Sequence, residues 1–315
     1  MLRFAGVVAA VAGCYSPTVE DGVPCGEGNA CPIGQTCAVD QRCRTRPLDG
    51  GTSDPDALFD AAIVIDAPPD GSPNVDTDTD GINDSTDNCP LIANSGQRDH
   101  DADAIGDACD NCPHVPNPTQ ARTMDADQVG DACDPNTGRM DTQLRFEGFY
   151  TTPTDWNLAA GWTVTNGKLV GVSTSTPVVA YLDVAMPANV TVVTSGALSN
   201  LGSASPNGGP LAHFTSLTSQ FYRCSPIGTG PPRAELALQN GMSFTTLDSA
   251  NFNNPSFTDI GVRLEVSGAN VLCSVRAGLE TANLATQSSA ASGTRIGLRV
   301  RDANASFDYV VVFTH

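Results

Sequence analysis

Asp76-Thr77-Asp78-Thr79-Asp80-Gly81-Ile82-Asn83-Asp84-Ser85-Thr86-Asp87-Asn88-Cys89-Pro90 decides how the middle of this chain folds. Counting Asp76 as position 1, side-chain oxygens recur at positions 1, 3, 5, 9 and 12, with glycine at position 6. Alternate residues of a tight loop point inward, and glycine permits the sharp turn among them. A hard cation takes roughly six to eight oxygens at about 2.3 to 2.6 Å. The spacing therefore reads as a calcium loop built by Asp76, Asp78, Asp80, the Ile82 carbonyl, Asp84 and Asp87.

Position 12 is Asp87 rather than the chelating Glu of an EF-hand, and no amphipathic helices flank the loop, so the loop is EF-like without being an EF-hand. The pattern repeats. Asp87-Asn88-Cys89-Pro90 recurs as Asp110-Asn111-Cys112-Pro113, each copy continues P-x3-N-x2-Q through Asn94 and Gln97 or Asn117 and Gln120, and Gly-Asp-Ala-Cys-Asp closes both units at 106–110 and 130–134. In the second loop the donors are Asp99, Asp101, Asp103, the Ile105 carbonyl, Asp107 and Asp110, with Ala104 in place of the glycine, which predicts a weaker or strained site. The third, aligned backward from Asp134, has Thr123 at position 1, then Asp125, Asp127, Gln128 at the glycine position, the Val129 carbonyl, Asp131 and Asp134, and is expected to fill last.

These units resemble the thrombospondin type 3 repeat. The resemblance covers residues 76–134 and implies a segment with calcium as its core and disulfides between neighbours, Cys89 to Cys109 and Cys112 to Cys133. Each bridge should contribute about 3 kcal/mol. Clustered carboxylates repel and little here is apolar, so metal binding and folding are expected to be one process.

Charge supports the reading. The 315 residues carry a net −19, and residues 76–134 hold fourteen Asp, two Arg and no Glu or Lys. Solvated acidic tails mix Glu with Asp, whereas calcium loops use Asp at fixed spacing. Nucleic acid and anionic lipid are disfavoured as partners, and cations are favoured.

Upstream, residues 1–13 pair Arg3 with a short apolar run and read as an export signal, too short to span a membrane. Val11-Ala12-Gly13-Cys14 resembles the bacterial lipobox, which implies a lipid on Cys14 and, with Tyr15 next, an outer-membrane or cell-surface location; plain secretion is the alternative. The remaining ten cysteines divide evenly, as expected of an oxidising compartment: Cys25, Cys31, Cys37 and Cys43; Cys89, Cys109, Cys112 and Cys133; Cys224 and Cys273, five disulfides in all. Residues 14–43 read as a small disulfide-rich module without the C-x-x-C pair or histidine that zinc would need. Residues 44–75 are a linker rich in Pro, Asp and Gly, interrupted by one apolar stretch, Ala57 to Ile65.

From residue 141 to 315 the chain turns to β-branched alternation broken by Gly, Pro and Asn, which predicts an all-β jelly-roll sandwich. Strands are expected at 144–149, 168–172, 178–182, 190–194, 235–238, 262–266, 271–275, 296–300 and 307–313. Val262, Leu264 and Val266 alternate with Arg263 and Glu265, as Ile296, Leu298 and Val300 do with Arg299 and Arg301, so one face of each strand is expected buried and the other wet. Leu144-Arg145-Phe146-Glu147-Gly148-Phe149, Gly161-Trp162 and the ending Phe307-Asp308-Tyr309-Val310 resemble bacterial concanavalin A-like domains, and thrombospondins also place a lectin-like sandwich after their type 3 repeats.

No E-x-D-x-x-E, H-E-x-x-H or G-x-S-x-G cluster accompanies the sandwich, and Glu235 and Glu265 read as isolated carboxylates on a solvated sheet face. Trp156 and Trp162 read as core plugs ahead of sugar-stacking platforms. The sequence thus predicts a non-catalytic, calcium-binding surface lipoprotein whose sandwich binds a glycan or protein, with the repeats as a stiff spacer. A carbohydrate-active hydrolase and a purely structural envelope protein are the alternatives.

Overall fold

The structure, a computed structural model, describes the backbone of residues 23–24, 36–37 and 42–44, and residues 75–315 apart from 126, 203, 204 and 242. The chain divides into two compact units, Met1–Asp70 and Gly71–His315. The first contains a small antiparallel sheet of β1 (Val23–Pro24), β2 (Thr36–Cys37) and β3 (Arg42–Arg44), ordered β1-β3-β2. The export signal, Cys14, the pairing of Cys25, Cys31, Cys37 and Cys43, and the apolar stretch 57–65 lie outside the described residues.

The second unit joins the repeat cassette to a two-sheet antiparallel sandwich. The first described strand after the cassette is β4 (Thr142–Glu147), followed by β5 (Trp156–Leu158), β6 (Trp162–Thr165), β7 (Lys168–Ser173), β8 (Val178–Leu182), β9 (Val190–Ser199) and β10 (Asn207–Phe214). Then come β11 (Gln220–Ile227), β12 (Arg233–Asn240), β13 (Ser243–Asn251), β14 (Ile260–Ser267), β15 (Asn270–Ala277), β16 (Glu280–Gln287), β17 (Arg295–Arg301) and β18 (Ala303–Thr314). One sheet runs β13-β12-β11-β10-β17-β8-β5, the other β16-β15-β14-β9-β18-β7-β6 with β4 added on β18. Val262, Leu264, Val266, Leu298 and Val300 meet in the core, where Trp156 and Trp162 are also buried. Cys224 on β11 bonds Cys273 on β15, stapling sheet to sheet; a loop of this length is worth about 4 kcal/mol.

One irregularity positions the cassette. In β18, Ala303, Ala305 and Phe307 face the core, and so do Val310 and Val312. The parity changes because the register with β9 shifts between Phe307 and Tyr309, as a β-bulge does when it inserts one residue and re-aims those after it. Tyr309, Val311 and Phe313 consequently point out of the sandwich, where Val129 and Cys133 of the cassette pack on them together with Phe146. His100 stacks edge-on to Phe146 and Tyr309 at 5.4 Å each, and His114 lies 5.0 Å from Tyr309. Arg263 donates to the Pro135 carbonyl at 2.8 Å and Arg139 pairs with Glu265 at 3.2 Å. The repeats, expected to act as a stiff spacer, lie against the eight-stranded sheet, where the bulge presents an apolar outer strip on which the cassette packs.

The expected wet face is corrected too. Glu265 and Arg299 are 4% and 3% exposed, and Glu235 is 1% exposed between Arg223 and Arg233. The outward-facing charges lie in ion pairs and under neighbouring groups, so alternation with apolar residues marked the opposite face without marking solvent.

Burial between aromatic rings pushes the His114 imidazole down to about 4, and burial likewise lowers His100. Because the folded pKa lies below the ordinary 6.5, the neutral form is favoured on folding. The contribution is complete above pH about 6.5 and is lost as pH falls through about 4. With calcium saturating, the thermal midpoint of the wild type is expected to fall faster with acidification than that of His114→Phe, by a difference worth up to about 3 kcal/mol. Parallel profiles would remove His114 from the interface energetics.

Candidate calcium sites in the repeat cassette

Each loop is wound by its own carboxylates. In the first, the Ile82 amide donates to Asp80 Oδ1 at 2.8 Å and the Gly81 amide to Asp76 Oδ2 at 3.0 Å. In the second, Ile105 donates to Asp103 Oδ1 at 2.9 Å and Ala104 to Asp99 Oδ2 at 3.0 Å. The third repeats only half of this, with Val129 donating to Asp127 Oδ1 at 2.8 Å, since Thr123 at position 1 offers no carboxylate.

The result is three groups of carboxylates whose oxygens lie within 4.8 Å of one another: Asp76, Asp78 and Asp80; Asp99, Asp101 and Asp103; Asp125, Asp127 and Asp134. In every loop some carboxylate oxygens are buried with no hydrogen-bond partner, namely Asp76 Oδ1, Asp78 Oδ2 and Asp87 Oδ2, then Asp101 Oδ2, then Asp125 Oδ2. Buried anionic oxygens without donors are costly, and several converging at one point fit a hard cation rather than water. Burial first, then the charges of Asp103, Asp110 and Asp99, pushes the Asp101 carboxyl up to about 6; burial likewise raises Asp78, Asp110 and Asp134. A divalent ion supplies the missing positive charge and would be held by the position 1, 3, 5 and 12 carboxylates of the first two loops and by Asp125, Asp127 and Asp134 in the third.

Position 9 behaves differently. Asp84 accepts from the Thr77 amide and hydroxyl at 2.8 and 2.7 Å, Asp107 from the His100 amide at 2.8 Å, and Asp131 from the Thr123 amide and hydroxyl at 2.8 and 2.7 Å. These three carboxylates tie the loop's exit to its entry and stand outside the three groups. Asp87 and Asp110 close their loops at position 12 with one oxygen fixed from outside: Asp87 Oδ1 accepts from Cys89 N and Gln97 Nε2, both at 2.7 Å, and Asp110 Oδ1 accepts from Cys112 N at 2.8 Å and Gln120 Nε2 at 2.7 Å.

Those glutamines explain the P-x3-N-x2-Q motif. Gln97 and Gln120 each receive the amide of Asn88 or Asn111 on Oε1 while donating to the position 12 carboxylate, which orients the oxygen left for the ion. The amides of Asn94 and Asn117 donate to the position 5 carboxylates Asp80 and Asp103 of the loop before, at 2.6 Å each. Asp141 continues this register. It stands seven residues after Asp134, as Asn94 follows Asp87, and its amide donates to Asp127 Oδ2 at 2.8 Å. The last loop is thus braced by the first residue of the sandwich. Counting that spacing onward past 134 would have found it.

Disulfides join Cys89 to Cys109 and Cys112 to Cys133. The glycine of Gly-Asp-Ala-Cys-Asp is required by close approach: a Cβ on Gly106 would sit 2.4 Å from Asn88 Oδ1 and 2.7 Å from Cys89 Sγ.

Position 6 has φ +96° at Gly81 and +79° at Ala104. A non-glycine residue there costs about 1 kcal/mol or more. Ala104→Gly is expected to tighten calcium at the second loop by about fivefold, read by calorimetric titration; unchanged affinity would mean that the alanine is accommodated freely.

Comparison with known proteins agrees with the cassette's geometry. The thrombospondin type 3 repeat family matches residues 72–97 and 97–120, which leaves the third loop beyond the matched stretch. No curated protein matches. Among solved structures, the GH43 protein BlXynB from Bacillus licheniformis superposes with TM-score 0.45 at 12% identity, over 54% of this chain and 39% of that one. The carbohydrate binding module CBM66 from Bacillus subtilis gives 0.42 at 14%, over 49% and 92%, and basic winged bean lectin with Tn-antigen gives 0.45 at 8%, over 56% and 99%.

Proposed function

We propose that this chain is a non-catalytic binding protein of the cell exterior, lipid-anchored at Cys14, whose sandwich engages a glycan and whose calcium-loaded repeats brace that sandwich. The observation that carries the reading is the cassette: three convergent carboxylate groups with orphaned oxygens, packed directly on the outer strip of β18. Ion loading and the eight-stranded sheet then share one stability. Adhesion or glycan capture outside the cell, where calcium is plentiful, uses such coupling; the acidic loops would be empty in a calcium-poor cytoplasm.

Non-catalytic action is supported by the state of the two strand carboxylates. Glu235 is held by Arg223 and Arg233, Glu265 by Arg139 and Arg263, and they belong to different sheets. A glycosidase pair needs two carboxyl groups about 5 to 9.5 Å apart flanking one bond, one of them free to give a proton.

The test is a glycan array and a surface pull-down with the chain from Cys14 onward, in millimolar calcium and again in chelator. Binding that needs calcium supports the reading. Calcium-independent silence on both assays favours a passive envelope role, and turnover on a polysaccharide panel would restore the hydrolase alternative.

A further inference from the structure

We propose that the groove on the outer face of β14, β15 and β16, walled by Arg139 at the exit of the cassette, is the binding site for a short uncharged saccharide. The inference rests on the glycan reading above and gives that reading a place and a ligand class.

The groove has a volume of about 420 Å³, inside the roughly 300 to 1,000 Å³ of small-ligand sites. Its floor is two cross-strand rows on one sheet face: Glu265, Leu272 and Ala285 stand opposite one another in the first, and Ser267, Asn270 and Gln287 in the second. Their neighbours Val266, Val271, Cys273 and Leu284 face the core, so both rows point outward. This surface is open to a ligand. Leu272 is 40% exposed, and Asn270, Ala285 and Gln287 are exposed as well. β16 lies at the edge of its sheet, where strands ordinarily carry charge against unwanted pairing. Yet its outward residues Thr281, Asn283, Ala285 and Gln287 are all uncharged, in a chain of net −19.

Among the described residues, the two charged side chains that line the groove, Arg139 and Glu265, are paired at 3.2 Å. Glu265 gives its other oxygen to Arg263. An acidic ligand would find Arg139 already paired, and a basic one would find no free carboxylate. Recognition is left to amides and hydroxyls. Asn270 and Gln287 each donate and accept, and Ser267, whose Oγ accepts from Arg139 at 3.3 Å, keeps an O–H to give. These groups surround the apolar patch of Leu272 and Ala285. A sugar ring matches such a floor, since its hydroxyls both donate and accept and its C–H faces cover apolar surface. Arg139, which lies between Asp134 and Asp141, owes its place to the third loop. Its amide donates to the Asn136 carbonyl at 2.9 Å, the Asn136 amide to Asp134 Oδ1 at 2.6 Å, and the Asp141 amide to Asp127 Oδ2 at 2.8 Å. Asp127 and Asp134 belong to the third carboxylate group, so the segment carrying Arg139 is tied at both ends to that cation site, and filling the site fixes one wall of the groove.

The experiment is calorimetric titration of the calcium-loaded full chain with the uncharged trisaccharides cellotriose, mannotriose, galactotriose and xylotriose, and with a galacturonate trimer. At least one uncharged trimer is expected to bind, about tenfold or more tighter than the acidic one and with little change in salt. Leu272→Lys lays a charged chain over the floor and is expected to weaken that binding by about tenfold or more. Excess chelator, which releases Arg139, is expected to weaken it several-fold. Gln287→Ala changes an exposed residue of the edge strand, and a several-fold loss there keeps the test valid if the lysine variant misfolds. Preference for galacturonate, or variants that bind as the wild type does, would overturn the groove, and affinity unchanged by chelator would overturn the calcium-set wall. If every uncharged trimer fails, array hits on other uncharged glycans that Leu272→Lys abolishes uphold the site, and hits it leaves intact overturn the site alone. A silent array overturns both readings.

Discussion

Transfer of the full chain from millimolar calcium into excess chelator is expected to open the cassette and uncover the outer strip of the sandwich. Each site filled at about a hundred times its dissociation constant holds about 2.7 kcal/mol, so three sites hold about 8 kcal/mol. Little else can replace it. Among the described residues of 75–134, Cys89, Cys112 and Val129 are the buried apolar side chains, and the first two are already in disulfides. Without the ion, the converging carboxylates of Asp99, Asp101 and Asp103 repel at close range. Hydrogen exchange should rise across residues 75–141 and an apolar dye should bind as Tyr309, Val311 and Phe313 lose their cover. The disulfides Cys89–Cys109 and Cys112–Cys133 limit the expansion, so the opened segment stays compact by scattering. Unchanged exchange and no dye signal in chelator would mean that the cassette is held by packing alone.

Glu235→Gln is expected to cost about 3 to 5 kcal/mol, the largest single-residue effect on the sandwich. Glu235 is 1% exposed, with Arg223 on one oxygen and Arg233 at 2.9 Å on the other. Neutralising it leaves the Arg223 guanidinium, 3% exposed, without its counter-charge. A solvated strand carboxylate would change stability by less than about 0.5 kcal/mol, so chemical denaturation separates the two descriptions directly. Replacing both partners, as Glu235→Leu with Arg223→Met, should recover much of the loss, because two apolar groups need no compensation. A double variant no better than the single one would assign the cost to packing.

Much of the site was legible in the residues. Oxygen donors every second residue, a left-handed position 6 and a repeating Asp-Asn-Cys-Pro are local requirements of a loop around a hard cation, and a local requirement is written in consecutive positions. The three carboxylate groups fall where that spacing puts them. The position 9 aspartates were less legible, since an oxygen that closes a loop and one that faces an ion occupy the same place in the pattern.

Strand recognition followed apolar alternation and failed where packing replaced it. β10 contains Gly208, Gly209 and Pro210, weak strand formers in isolation, yet it pairs with β11 and β17 in the middle of its sheet. Glycine is demanded there by tertiary approach: a Cβ on Gly209 would lie 2.3 Å from the Cys224 carbonyl. β13 and β16 lie at sheet edges with only one strand neighbour each, so half-exposed polar sequences such as Ser243–Asn251 satisfy them.

By itself, then, the sequence determined the carboxylate spacing of the cation loops, the all-β character of the last 175 residues and the cysteine groups, because each is set by neighbours along the chain. The tertiary structure alone decided that the bulge at Asp308 turns Tyr309, Val311 and Phe313 outward, that the cassette covers them, and that Glu235, Glu265, Arg223 and Arg299 are buried. Those outcomes depend on which surfaces meet across more than a hundred residues of chain, and a period of two along a strand says only that two faces differ, not what lies against either.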